Sequence, residues 1–250
     1  MNAIKIYGEN NINSQDDIVV SSGDLVKANL YDQKRATKWQ SAGSNDTTAE
    51  TITITFKNKS GLPVLKSIDR IILLNTNVLS MSAAYIDGTG SHAISEATIT
   101  DNAETDFVIE MAAPVSALQL VITLNTTIAA NAEKYIGELK ACLNVAELNV
   151  LSSFDSAPES KQGNFRLNSG ELHVWKEYER PGGTLSLENI SKTQRDLIKA
   201  AIADYDFLTV VMHDDFDAGE IYEFAVVEPA QENLDRKTQF YSMSLELKGK

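Results

Sequence analysis

Few of the residues that carry chemistry fall in catalytic spacings. His92, His173 and His213 are far apart, and neither an HExxH nor a CxxC pattern occurs. The chain has no Gly-x-Gly-x-x-Gly, no Walker loop and no Gly-x-Ser-x-Gly elbow; Gly88-Thr89-Gly90 lacks a third glycine and reads as a hairpin. Cys142 is the single cysteine, so no intrachain disulfide forms. It sits in an apolar run with no flanking cation, as a small buried hydrophobe does rather than a reactive thiolate. Asp214, Asp215 and Asp217 supply hard oxygen ligands suited to calcium, but the EF-hand order of alternating acids before a glycine is missing. They read better as a solvated hairpin tip and stand as the one metal candidate. The sequence thus predicts no enzyme and no cofactor.

One polar stretch has a different composition. Asp32, Lys34, Arg35, Lys38 and Asn45 surround Trp39. A ring set among polar groups either anchors its loop in the core or offers a flat face to a sugar. Anchoring is the favoured reading; in the other, these six residues form a ligand site using hydrogen bonds and stacking.

Charge narrows the partners. Lys and Arg number 22 against 35 Asp and Glu, a net of −13. Such a chain repels phosphate backbones and gains nothing from counterion release, which argues against sequence-specific nucleic-acid binding. The acidity serves solubility, or a surface past which DNA slides without sticking. Hydrophobic residues make up 43% and charged residues 23%, as in a globular protein. No run approaches the ~18–20 apolar residues of a membrane span. The first 21 residues lack the basic and apolar regions of a secretion signal.

The elements follow from periodicity. Ile4 to Asp17 is short and polar, an extended arm at most. Thr51 to Phe56 alternates with period two, as a half-buried strand does. Further strands are expected at Ile68 to Leu74, before and after an Asp87-Gly88 turn, at Asp106 to Met111, Leu118 to Leu124, and Ile136 to Val145. Seven or eight short strands without an amphipathic helix predict a jelly-roll β-sandwich over 1–146. Residues 147–170 are Ser-rich with no apolar period and read as a linker. Residues 171–250 predict a small antiparallel β-sheet or split barrel with one flanking α-helix over 192–206. Ser191 and Gln194 form a capping box ahead of that helix. Leu197, Ile198, Ala201, Ile202 and Tyr205 give it one apolar face.

Two resemblances follow from these residues. Ala36-Thr37-Lys38-Trp39-Gln40-Ser41, the strand Thr51 to Phe56, Ile68 to Leu73, Tyr85-Ile86-Asp87-Gly88 and Tyr135-Ile136-Gly137-Glu138-Leu139 occur in the order of a discoidin-type, galactose-binding-like jelly roll. The resemblance spans about 18–146 and implies a ligand, such as a host-surface glycan, on the loops. The second lies in Gly170 to Trp175, the capped helix, Ile221 to Phe224 and Tyr241 to Leu247. This part resembles tail-tube-like domains of bacteriophage tail and tail-tip proteins. That implies a homo-oligomeric ring, typically hexameric, other phage tail proteins as partners, and a place in the virion tail after assembly in the host cytoplasm. The two combine as a structural tail or distal-tail protein displaying a jelly roll. The alternative is a carbohydrate-binding module protein without catalytic activity.

Overall fold

The computed structural model describes the chain except residues 1–3, 33, 35, 44, 149–151, 158, 167–170, 181, 205–207, 212–220, 227–230, 236–238 and 250. The fold is mainly β, built from antiparallel sheets with one α-helix among the described residues. It divides into two compact units, Asn10–Leu143 and Met1–Glu9 with Asn144–Lys250.

The first unit is a jelly-roll sandwich. Its strands are β2 (Asp17–Val20), β3 (Trp39–Gln40), β4 (Glu50–Thr55), β5 (Lys66–Thr76), β6 (Val78–Ile86), β7 (Ser91–Ile99), β8 (Phe107–Ala117), β9 (Gln119–Thr127) and β10 (Tyr135–Cys142). Five form one sheet in the order β2-β4-β9-β6-β7, and four form the other, β3-β10-β5-β8. In β4, Ile52 and Ile54 are buried while Thr51 is exposed and Thr53 half-buried, so the alternation seen in sequence is the sandwich's inside and outside. Phe56, Ile71, Leu73, Ile122, Leu124 and Leu139 join them in one core. Cys142 is buried and forms no disulfide.

The second unit begins with a strand where the sequence suggests only an extended arm. β1 (Ile4–Tyr7) pairs with β11 (Asn144–Leu148) on one side and β16 (Leu208–Val211) on the other. Ile4 and Ile6 are almost wholly buried. Two isoleucines two residues apart are too short a signal to separate a strand from an arm. The expected linker is also strand: β12 (Ser152–Ser156) pairs with β15 (Gly182–Ile190), and β13 (Glu159–Arg166) pairs with β14 (Leu172–Arg180). The stretch shows no apolar period because, among β12's described side chains, Ser153, Asp155 and Ser156 are exposed and Phe154 packs on the core. β17 (Ile221–Val226), β18 (Gln231–Leu234) and β19 (Tyr241–Gly249) complete an eight-stranded sheet, β11-β1-β16-β17-β19-β15-β12, with β18 on β19.

Helix α1 (Lys192–Asp204) packs on this sheet. Its capping box forms as expected: the Gln194 N–H donates to Ser191 Oγ at 3.2 Å, and the Ser191 N–H donates to Gln194 Oε1 at 3.0 Å. Ile198 and Ala201 are buried with Val210 and Phe224, and Ile202 packs beside them. Leu197, expected on this face, is 47% exposed, so the buried stripe is narrower than the sequence suggests. Tyr205 and the end of the expected helix lie outside the described residues. No described helix is long and apolar enough to cross a membrane.

Candidate functional site

The loops joining β2 to β3, β3 to β4 and β9 to β10 meet at one end of the sandwich. β3 exists because its two residues pair with β10, Trp39 opposite Ile136 and Gln40 opposite Tyr135. Alternation then sends Trp39 inward and Gln40 outward. Trp39 is 0% exposed, and its indole N–H donates to the Ser22 main-chain oxygen at 3.2 Å. It is the anchor of its loop, and stacking of a sugar on this ring is excluded. Gly23 makes the close approach possible. It adopts φ 68°, and a Cβ there would lie 2.1 Å from the Gln40 main-chain oxygen, so no other residue fits.

Lys134 ties the loops together. Its ammonium donates to three main-chain oxygens, those of Asn45 at 3.0 Å, Asp46 at 3.2 Å and Thr48 at 2.5 Å. The residue is 0% exposed. Burial pushes its pKa down, and the charges of Glu50 and Asp46 oppose that shift. Ser41 and Lys134 also exchange bonds: the Ser41 N–H donates to the Lys134 oxygen, and the Lys134 N–H donates to Ser41 Oγ, each at 2.9 Å. The loop end is therefore fixed from within.

The remaining expected site residues have separate roles. Asp32 builds its own loop: Oδ1 accepts the Lys34 N–H at 2.9 Å and Oδ2 accepts the Thr37 hydroxyl at 2.5 Å. Lys34 is exposed. Asn45 Oδ1 accepts the N–H and hydroxyl of both Thr47 and Thr48, an Asx turn that leaves that oxygen to the loop. Arg35 and the acidic run Asp214, Asp215 and Asp217 lie outside the described residues. Among the described residues, no cluster of His, Cys, Asp and Glu could hold a metal.

Lys38 is the expected residue that reaches an aromatic surface. Its Nζ lies 3.8 Å from the centroid of the half-buried Tyr135 ring. On the other diagonal, Gln40 Nε2 donates to Glu133 Oε2 at 2.5 Å. Cross-strand pairing thus gathers an ammonium, an aromatic ring, a carboxamide and a carboxylate into one small strip. Sequence reasoning found Lys38 and missed the other three. Its signal would have been the pairing of β3 with β10, which no local pattern encodes.

No family model matches the chain, and no curated protein sequence does. Comparison of structures gives matches to about half of the chain. The Clostridium perfringens module CpGH89CBM32-6 is 19% identical, with a TM-score of 0.43 over 53% of this chain and 98% of its own. The family 32 carbohydrate-binding module of C. perfringens NanJ, solved with galactose, is 13% identical, with a TM-score of 0.44 over 55% and 98%. Chitosan-binding module 1 of a Paenibacillus chitosanase/glucanase is 15% identical, with a TM-score of 0.43 over 53% and 98%. These three are carbohydrate-binding modules, whereas another match is to part of a Ruminococcus gnavus GH29 fucosidase.

Proposed function

We propose that the protein is a non-catalytic carbohydrate-binding protein, and that its jelly roll contacts a neutral glycan through the strip Lys38, Tyr135, Gln40 and Glu133. The observation that carries this is the strip itself. A sugar presents a C–H face that stacks on a ring and hydroxyls that both donate and accept. In the free chain the Lys38 ammonium covers the Tyr135 ring; on binding it moves off that face to donate to a hydroxyl, the ring takes the sugar's C–H face, Gln40 donates and accepts, and Glu133 accepts. The one positive and one negative charge balance, which suits a neutral polyol better than an ion. The strip stands on a rigid scaffold, because Lys134, Trp39 and Gly23 hold the loops beneath it. A glycan array probed with the full chain tests the reading, with Tyr135→Ala and Gln40→Ala as comparisons. Neutral glycans bound by the parent and lost in both variants support it. Binding that survives both variants refutes the placement, and hydrolysis of a bound glycan refutes the non-catalytic assignment.

A second reading keeps the ring-forming phage tail component, located in the virion. Among the described residues, β11 and β12 end the eight-stranded sheet without a further partner strand. Open edges favour pairing with another copy, as a closed ring would provide. Light scattering decides it: a ring mass supports this reading and a monomer at all concentrations refutes it.

A further inference from the structure

A cavity lies in the jelly-roll unit, at the seam where β7 of one sheet meets β8 of the other. Its volume is about 190 Å³, and its walls include Tyr85, Ile94, Glu96, Met111, Ala113 and Val115. That is below the ~300–1,000 Å³ of drug-sized pockets, so it admits one monosaccharide-sized unit.

Two features give it a chemical preference. The first is the ring of Tyr85. His92 stacks on it, with centroids 4.9 Å apart and planes 25° from parallel. His92 is itself held by the β6–β7 turn, its Nε2 lying 3.2 Å from Asp87 Oδ1 and 3.0 Å from the Thr89 hydroxyl. The second is Glu96 on β7. Its Oε1 accepts the Ala112 N–H at 2.9 Å and its Oε2 accepts the Ser95 hydroxyl at 2.7 Å. Ala112 lies where β8 slips register against β5, so the carboxylate satisfies an N–H that the ladder leaves over. Those bonds hold its pKa below the usual glutamate value, the Ser95 hydroxyl contributing most. Each carboxylate oxygen keeps a further lone pair.

We infer that this cavity binds the ammonium of an amino sugar, with Glu96 as the charge partner and Tyr85 as the aromatic wall. An anion is disfavoured by Glu96. A hydroxyl alone forgoes both the charge and the attraction of a cation for the ring. The net charge of −13 draws such a ligand in from a distance. The sugar as carrier rests on the carbohydrate reading above, whereas the ammonium specificity rests on this cavity.

Calorimetric titration of the full chain at low salt tests it, with a glucosamine tetramer, an N-acetylglucosamine tetramer and tetralysine as probes. The glucosamine tetramer binds, and the other two bind at least about tenfold more weakly. Glu96→Gln keeps the shape of the side chain and lowers affinity by about tenfold. Ala113→Leu fills the cavity and lowers it too, and Tyr85→Phe retains binding because the ring remains. A chain that binds the glucosamine tetramer through Glu96 but no neutral glycan supports this site and refutes the Tyr135 strip. Absence of binding, equal binding of tetralysine, or binding unchanged in Glu96→Gln overturns the inference.

Discussion

The ammonium of Lys134 lies 3.0 Å from the main-chain oxygen of Asn45, within a loop that folds around it. With the oxygens of Asp46 and Thr48 it fastens the β3–β4 loop to the start of β10. Lys134→Met removes the charge and leaves three acceptors without this donor. The expected cost is about 1–3 kcal/mol in a denaturant melt, with faster hydrogen exchange in 42–49. Lys134→Arg does not rescue it, because a planar fork cannot address three converging oxygens as a compact ammonium does.

Gly23→Ala is expected to destabilise the first unit by more than about 1 kcal/mol. Its left-handed φ and the 2.1 Å approach to the Gln40 oxygen leave no room for a methyl. Gly43 also has positive φ but meets nothing within 4 Å, so Gly43→Ala pays only the backbone strain and costs less. Equal losses in paired melts would show that packing against β3 is not what Gly23 provides.

In the second unit, Ile198→Ala is expected to cost roughly 2–5 kcal/mol, since Ile198 is wholly buried between α1 and the sheet. Ser191→Ala removes one cap bond and costs about 1 kcal/mol. Leu197→Ala is near neutral because that side chain is largely exposed. The three melts together read the orientation of the helix.

Glu232 gives a pH signature. The Arg195 guanidinium, with the Lys199 ammonium, lowers its pKa to about 2. The folded value lies below the unfolded one. The contribution is therefore present above the ordinary glutamate range and fades as pH falls through it toward 2. Glu232→Gln flattens stability against pH in that window. A slope identical to the parent's would show that the pairing with Arg195 does not persist in solution.

Much of the architecture was legible and the site only partly so. Period-two alternation at Thr51 to Thr55 and the Ser191–Gln194 capping box are local signals, and both took the form expected. β1 was missed because Ile4 and Ile6 gain their meaning from β11 and β16, far along the chain. The same limit governs the loop end. Trp39, an aromatic among polar residues, faces inward as the anchor that its sequence setting favours. The ring that surfaces is Tyr135, read only as part of a closing strand. Its partnership with Lys38 and Gln40 follows from strand pairing across the sandwich.

The measurement that bears most directly on the central claim is a titration of the full chain with a neutral oligosaccharide selected from the array, followed by amide-resolved NMR. Binding through the jelly-roll loops shifts the amides of Lys38, Gln40, Glu133 and Tyr135 first and most, with saturation at one common affinity. Shifts confined to the β6–β7 hairpin or to α1, or no shift with any neutral glycan, would contradict it.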